Sequence, residues 1–347
     1  IILNIFISKM AHSAVCEERY PPDSEECQYV QELEQKAEQG DESAQFALGS
    51  WYAEGRYVKP DYKLAIKWLE KAGKQGSDFS YFILGYHYNY GENFPLSRQK
   101  ALEWYRKAAE LGDSSTQEIL GDAYMYGDGF PQNTQLALEW YRRAAAQGLA
   151  EAQDAIGVMF MQGEGVSQDY QQALAWYRKA ARQGLPAAQT HLGIMSAFGR
   201  GVAQSDRQAI AWYRKAAKQD FAKAQYQLGV AYSTGRGVPE NSRNALKWYL
   251  KAAEQGFTPA QLALGEIYAH GRQGVPKDNK QAYIWYYMAS IYTEKSKDDC
   301  SALIAERNRL KGTLTPDQLS ETYAAFDLIR RKINQSKEAK KIARKKY

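Results

Sequence analysis

The residue types that most often bind metals or transfer protons are scattered through this sequence. The histidines are His12, His87, His191 and His270, and none has a second His or a Cys at metal-ligand spacing. The Asp and Glu residues fall on polar positions, and no two of them are placed for general acid and base catalysis. We therefore predict no metal site and no acid–base pair.

Glycine-rich segments offer a second kind of chemistry, because some glycine loops bind phosphates. Segments such as Gly199-Arg200-Gly201 follow a helical pattern rather than a strand, and they lack the terminal Lys-Ser/Thr of a phosphate-binding loop. We interpret them as turns. The sequence thus predicts no catalytic residue, no cofactor and no enzymatic activity.

The glycines belong instead to an internal repeat with a period of 36 residues. One series follows Leu or Ile: Gly49, Gly85, Gly121, Gly157, Gly193, Gly229 and Gly265. A second series lies six residues further on: Gly55, Gly91, Gly127, Gly163, Gly199, Gly235 and Gly271. An unbroken period of this length indicates a stack of helical hairpins rather than one globular core.

Each repeat is predicted to contain two antiparallel helices. In the fourth repeat, Ala152, Ile156 and Phe160 share one buried stripe of the first helix. Gly157 costs about 1 kcal/mol of helix propensity there, so we expect it to admit a neighbouring helix. Residues that favour helix N-caps precede every second helix: Asp61, Ser97, Asn133, Asp169, Ser205, Asn241 and Asp278. The predicted fold is all-α.

Tryptophan marks one position of the second helix in every repeat: Trp68, Trp104, Trp140, Trp176, Trp212, Trp248 and Trp285. We expect the bulky rings of the second helix, Trp176 and Tyr177 in the fourth repeat, to fill the space between hairpins, with small residues beside them. The period then sets the domain boundaries. We predict a lead-in at 1–28, a degenerate capping helix at 29–40, seven repeats at 41–291, capping helices at 292–333 and a basic tail at 334–347.

The charge of the chain is concentrated at its C-terminal end. The net charge is +5, yet the stretch from Arg330 to Tyr347 holds nine Lys or Arg and one acidic residue, Glu338. The body is therefore nearly neutral, and we expect no nucleic-acid binding by it. The tail is interpreted as a solvated charge run, with an acidic partner as the alternative.

The N-terminal residues and the cysteines bear on the compartment. Ile1–Ile7 is almost wholly apolar and small residues follow, which is typical of the end of an export signal; unrelated sequence before Met10 is the alternative. Cys16 and Cys27 could pair in an oxidising compartment, leaving Cys300 single. No apolar run reaches the length of a transmembrane helix. We predict a periplasmic or secreted protein, with the cytoplasm as the alternative.

The repeat sequence resembles the Sel-one-like repeat (SLR) family, which is related to the tetratricopeptide repeats. The pattern is Ala-Gln-x-x-Leu-Gly-x-x-Tyr-x-x-Gly-x-Gly-Val, then Ala-Leu-x-Trp-Tyr-Arg-Lys-Ala-Ala-x-Gln-Gly, seen most clearly in 152–184 and 224–256. The resemblance implies a right-handed α/α superhelix whose first helices line the concave side. It also implies an adaptor that assembles protein complexes, often exported in bacteria and acting in the envelope or on a host. It implies no catalytic residues.

The first helices carry the predicted partner-binding surface. Positions three before the first glycine and one, four and five after it point away from the core at 100° per residue. The partner-binding candidates are Phe82, Tyr86, Tyr90, Met125, Tyr126, Val158, Met161, Ile194 and Phe198, and Phe46, Tyr226, Val230 and Leu262 occupy the same positions. A solvated helix face is mainly charged, whereas this one is largely apolar.

Crowding between first helices would bury some of these side chains instead. That alternative stays open for Phe46, Phe82 and Ile194. We expect exposure for Tyr90, Tyr126, Met125 and Met161.

The predicted function is a non-enzymatic scaffold for protein partners, host proteins among them; the alternative is a binding module for a cell-wall glycan or peptide.

Overall fold

The structure is a computed structural model, and it describes residues 20–21, 24–91, 93–272, 274–293 and 301–345. The apolar segment 1–7, Cys16 and Cys300 lie outside these residues. The chain divides into two compact units, Ile1–Asp169 and Tyr170–Tyr347. The described residues are helical apart from turns and one isolated bridge between Arg272 and Val275, so the all-α prediction is confirmed.

Unit 1 holds a single helix followed by helical hairpins. Its helices are α1 Glu25–Glu38, α2 Glu42–Glu54, α3 Tyr62–Lys74, α4 Asp78–Tyr90, α5 Arg98–Leu111, α6 Ser114–Tyr126, α7 Thr134–Ala146 and α8 Ala150–Gln162. The helix predicted at 29–40 begins earlier, at Glu25, because the Ser24 hydroxyl accepts a hydrogen bond from the Cys27 amide and caps it. Cys27 is buried and disulfide-bonded.

Unit 2 continues the alternation and ends in two further helices. Its helices are α9 Tyr170–Arg182, α10 Pro186–Phe198, α11 Asp206–Ala217, α12 Ala222–Thr234, α13 Ser242–Ala253, α14 Thr258–His270, α15 Asn279–Thr293, α16 Ser301–Lys311 and α17 Pro316–Lys345. The first helices of the repeats are α2, α4, α6 and α8 in unit 1, and α10, α12 and α14 in unit 2. Apart from α8, which ends unit 1, each packs most extensively against the second helix that follows it within its unit.

The predicted N-caps define where the second helices begin. The side chains of Asp61, Ser97, Asn133, Ser205 and Asn241 each accept a hydrogen bond from a backbone amide in the first turn. Asp278 does the same with the amide of Gln281. These bonds satisfy donors that a helix start leaves without an intrahelical partner.

The glycines inside the first helices admit a ring from the second helix of the same hairpin. A methyl group on Gly229 would lie 2.5 Å from Cδ1 of Tyr249, and one on Gly265 would lie 2.6 Å from Cδ1 of Tyr286. Gly85, Gly121 and Gly193 receive tyrosine rings in the same way. The close approach was predicted, and the structure shows that the ring in the notch belongs to the Tyr that follows the Trp.

The tryptophans lie one position earlier on the second helices, where they are partly covered by cations. Trp68, Trp140 and Trp285 are buried, whereas Trp104, Trp176, Trp212 and Trp248 are half-buried. In six repeats a Lys or Arg three residues later lies over the indole, at 3.9 Å from the ring centroid for Lys107 and Lys179. The cation shields the outer ring face while its charge stays in solvent.

Successive repeats are joined by glutamine side chains. Gln147 Nε2 donates to Gln117 Oε1 at 3.0 Å within repeat three and to the Gly112 carbonyl, which ends repeat two, at 2.8 Å. Gln75 and Gln219 make the same pair of bonds in repeats one and five. One amide group therefore connects a second helix to its own first helix and to the preceding repeat.

The last helices cover the open end of repeat seven. Thr315 and Gln318 form a capping box at the start of α17, since each backbone amide donates a hydrogen bond to the side chain of the other residue. Phe326 stacks on Tyr287 at 4.1 Å, and Ile333 is buried against Gly256. The helix continues to Lys345, so it does not end near Ile333 as expected.

Candidate interaction surface

Four positions of each first helix form its exposed side, and we call them the first-helix face. They lie six and two residues before the notch glycine, and one and five residues after it. In unit 1 they are Ser43, Ala47, Ser50, Glu54, Phe79, Ile83, Tyr86, Tyr90, Ser115, Ile119, Asp122, Tyr126, Glu151, Ala155, Val158 and Gln162. This spacing of four, three and four residues follows one side of an α-helix.

The position five residues after the glycine carries large exposed rings in both units. Tyr90 and Tyr126, which we expected to be exposed, are 51% and 75% exposed in unit 1. Phe198 is 58% exposed at the same position in unit 2. A large ring left in solvent at a recurring position is a surface that a partner can cover.

Met125 does not belong to this face, contrary to our expectation. Its side chain is only 6% exposed, and Ala53, Ala197 and Ala269 at the same repeat position are buried as well. The neighbouring loops cover this position: Asn93 Nδ2 donates to the Ala53 carbonyl at 2.9 Å, and Gln132 Nε2 to the Met125 carbonyl at 2.8 Å. A projection of one helix at 100° per residue contains no loops, so it could not show this burial. Met161, also expected to be exposed, is half-buried.

Phe79 is a surface residue that the sequence analysis missed. It is 53% exposed, and its ring stacks on Phe82 at 5.7 Å and contacts Phe46 at 5.6 Å. It occupies the first turn of α4, six residues before Gly85. The same helical projection would have found it if that turn had been included.

The remaining predicted residues are half-buried. Phe82 contacts Tyr105 at 5.8 Å, and Tyr86 lies 4.6 Å from Tyr90. Val158 is half-buried in unit 1, and Ile194 packs against a core cluster of unit 2. Tyr226 contacts Tyr249 and Phe257, so much of its ring serves packing. The open alternative is therefore resolved as partial burial for Phe46, Phe82 and Ile194.

Phenol hydroxyls and carboxylates are among the polar groups at and next to the face. Tyr141 Oη donates to Asp122 Oδ1 at 2.6 Å. Burial is the main cause that raises the pKa of Tyr141 above its usual value, and the hydrogen bond to Asp122 raises it further. Burial also raises the pKa of Tyr105, and Tyr90 adds to the shift. These phenols stay protonated at neutral pH and act as hydrogen-bond donors rather than as bases.

The histidines serve packing within the described residues. His87 is buried and stacks on Phe94 at 5.0 Å, His191 lies against Tyr177 at 4.8 Å, and His270 Nδ1 lies 3.1 Å from the Glu266 carbonyl oxygen. In the part of the chain that the structure describes, no group of three His, Cys, Asp or Glu side chains is arranged to hold a metal.

Unit 2 also holds a small cavity. It measures about 240 Å³ and is lined by Ser233, Ser242, Ala245, Ile267, Arg272 and Val275. Pockets for drug-sized ligands usually exceed about 300 Å³, so this cavity is smaller than a typical site for such a ligand. Among the described helices, none has both the length and the apolarity that crossing a bilayer requires.

Comparisons with known proteins agree with this geometry. The Sel1 repeat family matches at residues 42–77, 79–113, 114–149, 150–185, 186–221, 222–257 and 258–290, which is most of the chain. The crystal structure of a Sel1 repeat protein from Oxalobacter formigenes is 34% identical, with a TM-score of 0.68. That match covers 82% of this chain and 80% of the other. No curated protein matches.

Two further solved structures are more distant. One is c5321, a protective antigen of uropathogenic Escherichia coli with an SLR fold, 26% identical over 88% of this chain and 87% of its own, with a TM-score of 0.45. The other is the immunity protein Pa5087 of Pseudomonas aeruginosa, 24% identical over 57% of this chain and 75% of its own, with a TM-score of 0.44. The family match and the Oxalobacter structure decide the assignment. The chain belongs to the Sel1 repeat family.

Proposed function

We propose that this protein is a non-catalytic scaffold that binds a protein partner on the first-helix face. Sel1-repeat proteins are generally protein-interaction scaffolds. One observation carries the proposal for this chain: Phe79, Tyr90 and Tyr126 expose large rings along successive first helices of unit 1. Each ring offers a large apolar area for burial, and tyrosine also offers a hydroxyl for hydrogen bonding.

The scaffold acts outside the cytoplasm, in the envelope or on a host. The disulfide bond of Cys27 supports this proposal, since disulfides persist in oxidising compartments and are rare in the cytosol. Gel-shift alkylation of the native protein tests it. We expect the polymer-linked maleimide to modify Cys27 only after reduction; modification without reduction would contradict export.

A glycan or peptide module of the cell wall is the second candidate. The pair Tyr86 and Tyr90, with ring centroids 4.6 Å apart and Tyr90 half in solvent, favours it as a stacking platform. Binding to purified cell-wall fragments that is lost in Tyr90→Ala would support this candidate. Retention of all binding by protein partners in the same variant would support it further.

Site-specific photo-crosslinking tests the scaffold directly. A photoreactive phenylalanine analogue at position 126 or 79 should yield discrete protein adducts in the native cell. The same analogue at position 111, where Leu111 is exposed at the end of a second helix, is the matched control. Equal adducts from all three positions, or none from 79 and 126, would contradict the proposed surface.

A further inference from the structure

The charges of unit 1 are segregated between its first and second helices. The first helices α2, α4, α6 and α8 contain no lysine or arginine. Their carboxylates are Glu42, Glu54, Asp78, Glu118, Asp122, Glu151 and Asp154. In unit 2 the first helices carry only Lys223 and Glu266 as charged residues, so the negative bias belongs to unit 1.

The second helices of unit 1 have the opposite composition. Their cations are Lys63, Lys67, Lys71, Lys74, Arg98, Lys100, Arg106, Lys107, Arg142 and Arg143, against Glu70, Glu103, Glu110 and Glu139. Lys71, Lys107 and Arg143 rest on tryptophan rings of these helices. An approaching charged partner therefore meets an acidic, aromatic face on one set of helices and a basic face on the other.

The negative charge is concentrated around Tyr126. Asp122 lies one turn before Tyr126 on the same side of α6, and its Oδ1 accepts a hydrogen bond from Tyr141 at 2.6 Å. Burial raises the pKa of Tyr126, and the negative charges of Asp122 and Glu164 raise it further. Glu118 acts with Asp122 on the adjacent Tyr141. Arg98 is the nearby base, and it pairs with Asp128 at 2.8 Å and donates to Asn89 Oδ1 at 3.0 Å. Its charge is thus offset within the fold.

Unit 2 shows what an aromatic ring at this repeat position binds. Phe198 occupies the position of Tyr126, five residues after the notch glycine. The guanidinium carbons of Arg200 and Arg236 lie 5.3 and 5.9 Å from the centroid of its ring. The position therefore accommodates guanidinium groups against the ring. Tyr126 offers the same exposed ring with carboxylates beside it, which strengthens attraction for a cation.

We propose that the first-helix face of unit 1 binds a basic peptide segment of its partner, with arginine or lysine side chains packed against Tyr126 and Tyr90 and paired with Asp122 and Glu164. This inference rests on the proposed scaffold function and specifies the chemistry of its partner. Charge complementarity carries it: the face combines large apolar rings with carboxylates and lacks basic residues on its helices.

Fluorescence anisotropy with the full chain tests the proposal. The probe is a labelled peptide of alternating arginine and alanine, compared with peptides in which glutamine or glutamate replaces arginine. We expect the arginine peptide to bind, the glutamate peptide not to bind, and binding to weaken as salt rises from about 50 to about 300 mM. Tyr126→Ala should weaken binding about 3- to 10-fold, and Glu164→Gln about 2- to 3-fold.

Two further variants distinguish loss of the aromatic ring from a general effect of substitution on the fold. Tyr126→Phe keeps the ring and should restore most of the affinity, whereas Leu111→Ala, outside the face, should leave it unchanged. Equal binding of the glutamine peptide, still lost in Tyr126→Ala, would overturn the basic-partner assignment while leaving the binding face intact. Arginine-peptide binding that is insensitive to Tyr126→Ala would also overturn it. If photo-crosslinking from position 126 fails as well, the proposed scaffold function fails with it.

Discussion

Tyr141 Oη donates a 2.6 Å hydrogen bond to Asp122 Oδ1, and the same tyrosine ring fills the notch at Gly121. Asp122 directly follows that glycine and belongs to the first-helix face. One side chain thus packs the interior of repeat three and also fixes a carboxylate beside Tyr126. The core and the proposed binding surface are physically coupled at this repeat.

Removing this hydroxyl should cost stability. We expect Tyr141→Phe to lower the free energy of unfolding by about 1–3 kcal/mol, because a buried hydrogen bond to a charged group is lost. Urea denaturation measures the change. Tyr213→Phe is the matched control, since Ile194 replaces the carboxylate there, and it should cost about 1 kcal/mol or less. Equal losses in both variants would show that Asp122 contributes nothing.

The notch glycines should resist even alanine. Gly229→Ala places a methyl group within 2.5 Å of the Tyr249 ring, so we expect a loss of about 1–3 kcal/mol despite the better helix propensity of alanine. In the Tyr249→Ala background the same change should be neutral or stabilising by up to about 1 kcal/mol. Additive effects in this double-mutant cycle would refute the steric explanation.

The glutamine bridges should contribute to the coupling of repeats. Gln147→Ala removes both bonds, to Gln117 and to the Gly112 carbonyl, and should destabilise the protein by about 1–2 kcal/mol. Hydrogen exchange should also quicken at the junction of repeats two and three. Gln135→Ala, which removes one exposed bond to the Gly165 carbonyl, is the control and should have a smaller effect. A reversed order would contradict this role.

Alkaline pH should destabilise the fold through its buried tyrosines. Burial raises the pKa of Tyr249 and of Tyr286 to about 12, from an ordinary value of 10.0. Below about pH 10 both states keep the phenolic proton, so this contribution to stability is complete. Between about pH 10 and 12 the unfolded chain ionises first, and the free energy of unfolding should fall.

Urea titrations across that range, with tyrosinate absorbance as a second signal, check the pH dependence. Tyr249→Phe should reduce its slope. A free energy of unfolding that stays constant from about pH 10 to 12 would mean that these hydroxyls are accessible to solvent in the folded protein.

The repeat architecture could be predicted from the sequence because its determinants are local. Notch glycines, turn glycines and N-caps such as Asn133 each act within one hairpin, and they recur at a fixed spacing. Asp220 departs from the glycine pattern, yet it too is accommodated by local interactions. It replaces the closing glycine with a φ of +53°, and its side chain accepts a hydrogen bond from Gln225.

The surface could be predicted only in part, because exposure depends on neighbouring repeats. Tyr126 is exposed as expected, but Met125, its neighbour in the chain, is buried. Trp140 and Tyr141 adjoin on one helix, and the repeat spacing alone does not decide which of the two rings enters the notch. Only the packed hairpin shows that Tyr141 enters the notch. The charge segregation of unit 1 was visible in the sequence once the helices were assigned to their two faces.

The double variant Tyr90→Ala/Tyr126→Ala tests the central claim most directly, by recovery of partners crosslinked in the native cell together with the thermal unfolding midpoint. We predict at least a roughly 10-fold loss of recovered partner, since two exposed rings are removed from the interface. The midpoint should stay within about 2 °C of the wild type, because at least half of each side chain is in solvent. Undiminished recovery, or a loss explained by unfolding, would contradict a binding surface on the first helices.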